Sequence, residues 1–297
     1  MLYNNLSTYL KTKYGCRVGK ICIDGGFSCP NRDGTVGFGG CIYCSERGSG
    51  DHIDSTLSIR EQTQRVLEQG KYDKYIAYFQ SFTNTYAPVG VLKERYEAAL
   101  IDPRIAVLAV GTRPDCISEP VAELLAELRQ RVDIWVELGL QSSNDRTAQR
   151  INRGYPTEVY RRCAALLGEY GIPFVTHLIL GLPGEGREEY RNSVDEVNRA
   201  GGFGVKLHSL YISEGTELAD CYRRGEFTPI SREEYVAAAA EAVARLRPDT
   251  VIHRLTGDCP KELLVAPEWN RDKNAVIEGI RRTLADQRLC QGSLYKE

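Results

Sequence analysis

Cys29, Cys41 and Cys44 are spaced Cys-x11-Cys-x2-Cys. The two-residue gap between Cys41 and Cys44 lets two thiolates point at one metal centre. The third thiolate arrives across a glycine-rich loop that runs from Gly25 to Gly40 and carries Pro30. Glycine reaches positive φ without steric cost, so such a loop can wrap closely round a bulky centre. The segment offers no obvious fourth ligand. On a [4Fe–4S] cluster, three thiolates leave one iron open to bind something else. A closed zinc site is the competing reading, with His52 as the nearest fourth ligand. Zinc knuckles come as two pairs, however, and no second Cys-x2-Cys occurs in the chain. A disulfide is a poorer fit, because the ten cysteines are scattered and no secretory signal is visible. The other seven read as small buried apolar side chains.

A metal loop needs a scaffold, and the rest of the chain reads as alternating strands and helices. Strands are expected at 20–24, 75–80, 105–110, 133–140, 173–180 and 205–211, with one more at 250–255. Helices are expected at 62–69, 91–100, 120–129, 157–170, 188–200 and 232–247. Near-continuous apolar strands between helices imply a parallel sheet covered by helices. The expected fold is α/β, a partial (β/α)6-type barrel with a short C-terminal extension. A doubly wound open sheet is the alternative. The core is placed at 1–255, with the cysteine loop at 25–48, and the extension at 256–297 caps the barrel. In either fold, chemistry sits where strands end. Polar clusters follow six successive strands: the cysteine loop, Gln80 to Thr85, Gly111 to Asp115, Glu137 to Ser142, Leu180 to Glu185, and His208 to Ile212.

Composition bounds the rest. The chain has 297 residues, 42% hydrophobic and 26% charged, which is ordinary for a globular protein of one large or two small domains. No apolar run approaches transmembrane length. Free cysteines without an export signal lead us to expect a cytoplasmic location. A net charge of −2 argues against general affinity for nucleic acid, leaving only a local basic patch.

The run Gly26-Phe27-Ser28-Cys29-Pro30-Asn31-Arg32-Asp33-Gly34-Thr35, followed by Gly39-Gly40-Cys41-x2-Cys44, resembles the cluster loop of radical S-adenosylmethionine (radical SAM) enzymes. The version is that of the YhcC-like group, related to the radical SAM core of the Elongator catalytic subunit. Gln80 to Tyr86, Gly111 to Asp115, Glu137-x-Gly139-x-Gln141-Ser142, Arg150 to Gly154, Arg254 to Asp258 and Ala266-Pro267-x-Trp269 extend the resemblance over nearly the whole chain.

The resemblance implies a [4Fe–4S] cluster held by Cys29, Cys41 and Cys44, with S-adenosylmethionine on the open iron. Reductive cleavage would give methionine and a 5′-deoxyadenosyl radical that abstracts hydrogen from substrate. By the same likeness, Tyr43 lies beside the adenine, and Gln80, Ser81 and Thr83 take the methionine amine. Gln141 and Arg153 hold the ribose and the methionine carboxylate, a role that suits the planar fork of arginine. Glu137 binds the amine or ribose, and Gly181 counts among the cofactor-binding positions. Two positions depart from the pattern. Gly111 stands where related enzymes have a glutamate, and His177 where they have an aspartate. His177 is expected to reach the ribose through a ring nitrogen, or else to be a satisfied core histidine.

The Elongator likeness implies tRNA as substrate, in modification of the wobble uridine, with an electron donor of flavodoxin or ferredoxin type. Arg161/Arg162, Arg223/Arg224, Lys261, Arg271/Lys273 and Arg281/Arg282 are the candidate phosphate contacts. With the core placed at 1–255, acetyl transfer of the full Elongator subunit's kind is not expected of this chain alone. A radical SAM enzyme acting on a small metabolite is the runner-up, since Leu178 to Gly184 also resembles the oxygen-independent coproporphyrinogen dehydrogenase. A non-enzymatic iron–sulfur or zinc module is the third reading.

Overall fold

The computed structural model describes residues 2–296. The helices are α1 (Leu6–Tyr14), α2 (Ile59–Leu67), α3 (Val89–Ala99), α4 (Glu119–Arg129), α5 (Asp145–Arg150), α6 (Thr157–Glu169), α7 (Arg187–Ala200), α8 (Glu217–Arg223), α9 (Arg232–Arg245) and α10 (Lys273–Asp286). The strands are β1 (Val18–Ile23), β2 (Lys74–Phe79), β3 (Ile105–Thr112), β4 (Asp133–Gln141), β5 (Phe174–Leu180), β6 (Gly204–Ser209), β7 (Ile212–Ser213), β8 (Val251–Arg254) and β9 (Leu264–Ala266). Seven of them form one sheet in the order β1-β2-β3-β4-β5-β6-β8, and β7 pairs with β9. All pairs in the large sheet are parallel. The order never reverses, which rules out the doubly wound alternative. Edge strands β1 and β8 do not pair. The sheet is therefore a curled half-barrel, six βα units and a seventh strand, as expected.

Both faces of the sheet are buried, which is why its strands are readable as apolar runs. On the outer face, Phe79, Leu108, Val136, Leu178 and Leu207 pack with Tyr96 of α3, Leu125 of α4, Tyr160 of α6, Val194 of α7 and Tyr235 of α9. Burying each such side chain is worth about 1.5–3 kcal/mol. On the inner face, Ile76, Val107, Trp135 and Val175 meet Leu10 of α1. Helix α1 thus plugs one end of the half-barrel and leaves the carboxyl ends of the strands for a site.

Several elements differ from expectation. Helix α2 begins at Ile59, three residues early, because Ser58 and Glu61 form a capping box ahead of it. Helices α1, α5, α8 and α10 were not expected. Val276, Ile280 and Leu284 of α10 join the outer core beside α9. Residues Asp258 and Pro260, between β8 and β9, return to the open end of the barrel. Among the described residues, no helix is long and apolar enough to cross a membrane.

Candidate active site

A cavity of about 230 Å³ opens at the carboxyl ends of the strands. Cys29, Cys41 and Cys44 line it together with Tyr43, Gln80, Thr83, Gly111, Glu137, Gln141 and His177. A second chamber of about 140 Å³ adjoins it, sharing Tyr43, Cys44, Gln141, His177, His208 and Tyr211, and adding Ile179 and Leu210. The fold therefore brings together most of the residues singled out in the sequence.

The cysteine loop is held from below. Asn31 Nδ2 lies 3.9 Å from Cys41 Sγ and donates to Asn152 O at 2.5 Å. Asn152 Nδ2 in turn donates to Gly40 O at 2.7 Å and to Phe38 O at 3.3 Å. Ile42 N donates to Ile151 O at 3.1 Å. The Arg32 guanidinium donates to the carbonyls of Cys44 and Ser45 at 3.0 and 2.6 Å. Burial pushes the Cys41 thiol up to about 11, and the Cys44 thiol is also raised by burial, with Arg32 opposing it. Among the described residues, no three His, Cys, Asp or Glu side chains converge to hold a single metal ion. A four-iron cluster spreads three thiolates over three irons, so its ligands need no common point.

Gln141 reaches the cavity by local backbone distortion. The β4–β5 register slips between Gly139 and Gln141, and Gln141 sits at φ 62°. Left-handed backbone at a residue with a long side chain costs energy and clusters at functional sites. A Cβ on Gly139 would come within 2.6 Å of Gln141 Nε2, so a side chain there would displace the Gln141 amide from this position. Gln141 Oε1 and His208 Nε2 are buried without a partner among the described residues. Two orphaned polar atoms in one chamber are what a ligand would satisfy.

Beneath these groups lies a charged layer in which Glu137 and His177 were singled out from the sequence and Lys206 was missed. Glu137 is 2% exposed and Lys206 is 3% exposed. Lys206 Nζ pairs with Glu137 Oε2 and donates to Tyr78 OH at 3.2 Å. Trp135 Nε1 donates to Glu137 Oε1 at 3.2 Å, and His177 Nε2 lies 2.8 Å from Glu137 Oε2. Burial pushes the Glu137 carboxyl up, but Lys206 and His177 outweigh it and hold it well below its usual range. Burial and then Lys206 pull His177 down to about 4. Arg254 and Asp258, 3.2 Å apart, also line the cavity. The available signal was a lysine among apolar neighbours in the strand Gly204–Ser209, two residues before His208.

Three expected residues lie elsewhere. Arg153 is 1% exposed and uses all five of its N–H donors inside the protein. Its guanidinium holds the carbonyls of Leu140 and Ser142 at 2.6 Å each, Tyr155 O at 3.0 Å, Thr157 Oγ1 at 3.3 Å and Asp145 at 3.4 Å. No donor is left for a carboxylate ligand. Arg32, Arg113 and Arg254 do line the cavity, and of these Arg113 donates to Arg153 O at 2.8 Å and pairs with Asp115 at 2.7 Å. Ser81 is buried and lies outside both lining sets, and Gly181 borders a separate groove with Arg187 and Tyr190. Gln80 does line the cavity, with its Nε2 donating to Ser49 O at 2.6 Å.

A half-barrel with three loop cysteines at its carboxyl end defines a class, and comparison with known proteins agrees. Residues 31–197 match the radical SAM superfamily, and residues 203–286 match the radical SAM C-terminal domain. The chain belongs to the radical SAM superfamily, in its YhcC-like group. It is 39% identical to protein YhcC of Escherichia coli over 90% of this chain and 87% of that one. It is 29% identical to a tRNA uridine(34) acetyltransferase of Methanocaldococcus infernus, over 54% of this chain and 30% of that one. Among solved structures, the archaeal Elp3 of Methanocaldococcus infernus matches in fold with a TM-score of 0.69 at 21% identity. That match covers 92% of this chain and 64% of the other. Membership implies an enzyme that uses S-adenosylmethionine and a [4Fe–4S] cluster.

Proposed function

We propose that Cys29, Cys41 and Cys44 hold the cluster and that the two chambers bind S-adenosylmethionine beside it. The observation carrying this reading is that the three cysteines share one cavity with two orphaned buried polar atoms, Gln141 Oε1 and His208 Nε2. When bound, the pair supplies reductive carbon–sulfur cleavage and hydrogen abstraction. This chain's own residues do the rest. Tyr43, Ile179 and Leu210 give the second chamber an apolar wall against which a purine can pack. Gln141 and His177 take hydroxyl groups there. Arg113 uses three of its five N–H donors internally, leaving two for a carboxylate. Helix α1 and the apolar layer around Trp135 close the floor against water.

For the substrate we favour tRNA, in wobble-uridine modification, on the sequence likeness to a protein named for tRNA uridine(34). The electron donor is of flavodoxin or ferredoxin type, and the setting is the cytoplasm. One observation favours a small metabolite instead. Much of the expected basic patch is neutralised internally: Arg161 pairs with Glu196, Arg223 with Glu214, Arg224 with Glu226 and Lys273 with Asp258. The deciding experiment is anaerobic. The protein is reconstituted with iron and sulfide, reduced, and given S-adenosylmethionine with or without bulk tRNA. Formation of 5′-deoxyadenosine that rises with tRNA is expected. Formation indifferent to tRNA would redirect the search to small molecules. None at all, despite a full cluster, would sink the enzymatic reading.

A further inference from the structure

Lys206 is a buried lysine with no role in the reading above; burial pulls its ammonium down to about 7, and the Glu137 carboxylate works against that pull. Its ammonium touches Glu137 and Tyr78, and it stands 4.4 Å from the centre of the Tyr78 ring. Glu137 is the hub: three side chains, Trp135, His177 and Lys206, converge on its two oxygens. An unpaired carboxylate at that depth would be costly, and Lys206 is the charge that allows it to stay ionised. An ionised Glu137 can only accept, so the His177 nitrogen facing it, Nε2, must carry the proton. Neutral imidazole has one donor and one acceptor. Nδ1 is then the acceptor. It has no partner among the described residues, and the ring lines both chambers.

We propose that Lys206 is a positioning residue: by pinning Glu137 it fixes His177 as the Nε2–H tautomer and leaves Nδ1 to accept from a ligand hydroxyl. The proposal rests on the reading that the second chamber takes the adenosyl half of S-adenosylmethionine. An acceptor is thereby presented to the hydroxyl, while the negative charge sits one layer deeper, on Glu137. The orientation of a ligand-binding imidazole is commonly set by the partner of its other nitrogen.

The chain has four histidines, so the ring nitrogens can be assigned by 15N NMR of histidine-labelled full-length protein, using single His→Gln variants. Wild-type His177 is expected to be protonated at Nε2 alone. In Lys206→Met the proton should redistribute to Nδ1, and Lys206→Arg should restore the wild-type signature. The second arm is equilibrium binding of S-adenosylhomocysteine and its 2′-deoxy and 3′-deoxy forms. Wild type should lose about tenfold for one deoxy form, the scale of one hydrogen bond. Lys206→Met should bind the parent about tenfold more weakly and no longer distinguish that deoxy form. Nδ1 protonation in wild type, or an unmoved tautomer in Lys206→Met, would overturn the role of Lys206. The expected tautomer with equal binding of all three ligands would overturn the hydroxyl contact and leave cluster chemistry standing. Should Lys206→Met not fold, Lys206→Gln takes its place with the same expected and overturning outcomes.

Discussion

At the scale of single residues, Arg153 separates what a residue type suggests from what its surroundings allow. Its forked guanidinium fits a carboxylate, and its place in the Arg150 to Gly154 motif invites that role. In the fold the same fork draws together Leu140 O, Ser142 O and Tyr155 O. It is stacked 4.5 Å from the centre of the Tyr155 ring. Arg153→Lys should therefore cost about 2–4 kcal/mol, the range for breaking a buried charged hydrogen-bond set. Urea unfolding measures the loss. Affinity of the folded fraction for S-adenosylhomocysteine should stay within about twofold. Unchanged stability with a tenfold affinity loss would return Arg153 to the ligand. The cysteines were legible because spacing alone limits what three thiolates can do. Arg153 was not, because no sequence pattern shows which carbonyls will converge around a side chain. Lys206 was half legible, since a charge inside an apolar strand signals a partner but does not name it.

At the scale of elements, strands β2 to β6 could be read directly from their apolar runs, because two buried faces leave little choice of residue. The short helices could not. Helix α1 buries only Leu10, so it shows almost no apolar stripe to detect. Helix α5 has only six residues, too few for a periodic pattern, and a turn follows its C-terminal end. That turn is the brace of the cysteine loop. Asn152 sits there at φ 52°, a conformation that asparagine tolerates better than most residues. Asn152→Gly keeps the backbone and removes the two bonds to Gly40 and Phe38. The expected outcome is a melting temperature within a few degrees of wild type, by the scale of two hydrogen bonds, one exposed and one half-buried. The reconstituted cluster should meanwhile be lost several-fold faster to a chelator, monitored by its visible absorbance. Equal rates of cluster loss would mean that the Asn152 bonds are not what holds the loop.

At the scale of the whole molecule, the half-barrel encloses three neutral histidines, and that sets its tolerance of acid. His177 is pulled down to about 4 and His253 to about 3, while His208 lies well below its usual value; burial is the first cause in each. Between the ordinary value of about 6.5 and these folded values, the unfolded chain binds more protons than the folded one. Stability is therefore complete above about pH 6.5 and is lost as pH falls toward 4. At about 1.4 kcal/mol per pH unit, His177 alone accounts for about 3 kcal/mol across that window. His253 can be tested without touching the site. Its ring packs edge-on against Trp135 and Phe203, with centroids 5.3 and 5.6 Å apart, and its Nε2 is buried without a partner among the described residues. Phenylalanine fills the same space and cannot take a proton. His253→Phe should match wild type within about 1 kcal/mol at pH 7.5, as near-isosteric core swaps do. It should also move the midpoint of acid unfolding, measured by circular dichroism, downward by roughly half a pH unit or more. An unmoved midpoint would show that acid lability originates outside the barrel floor.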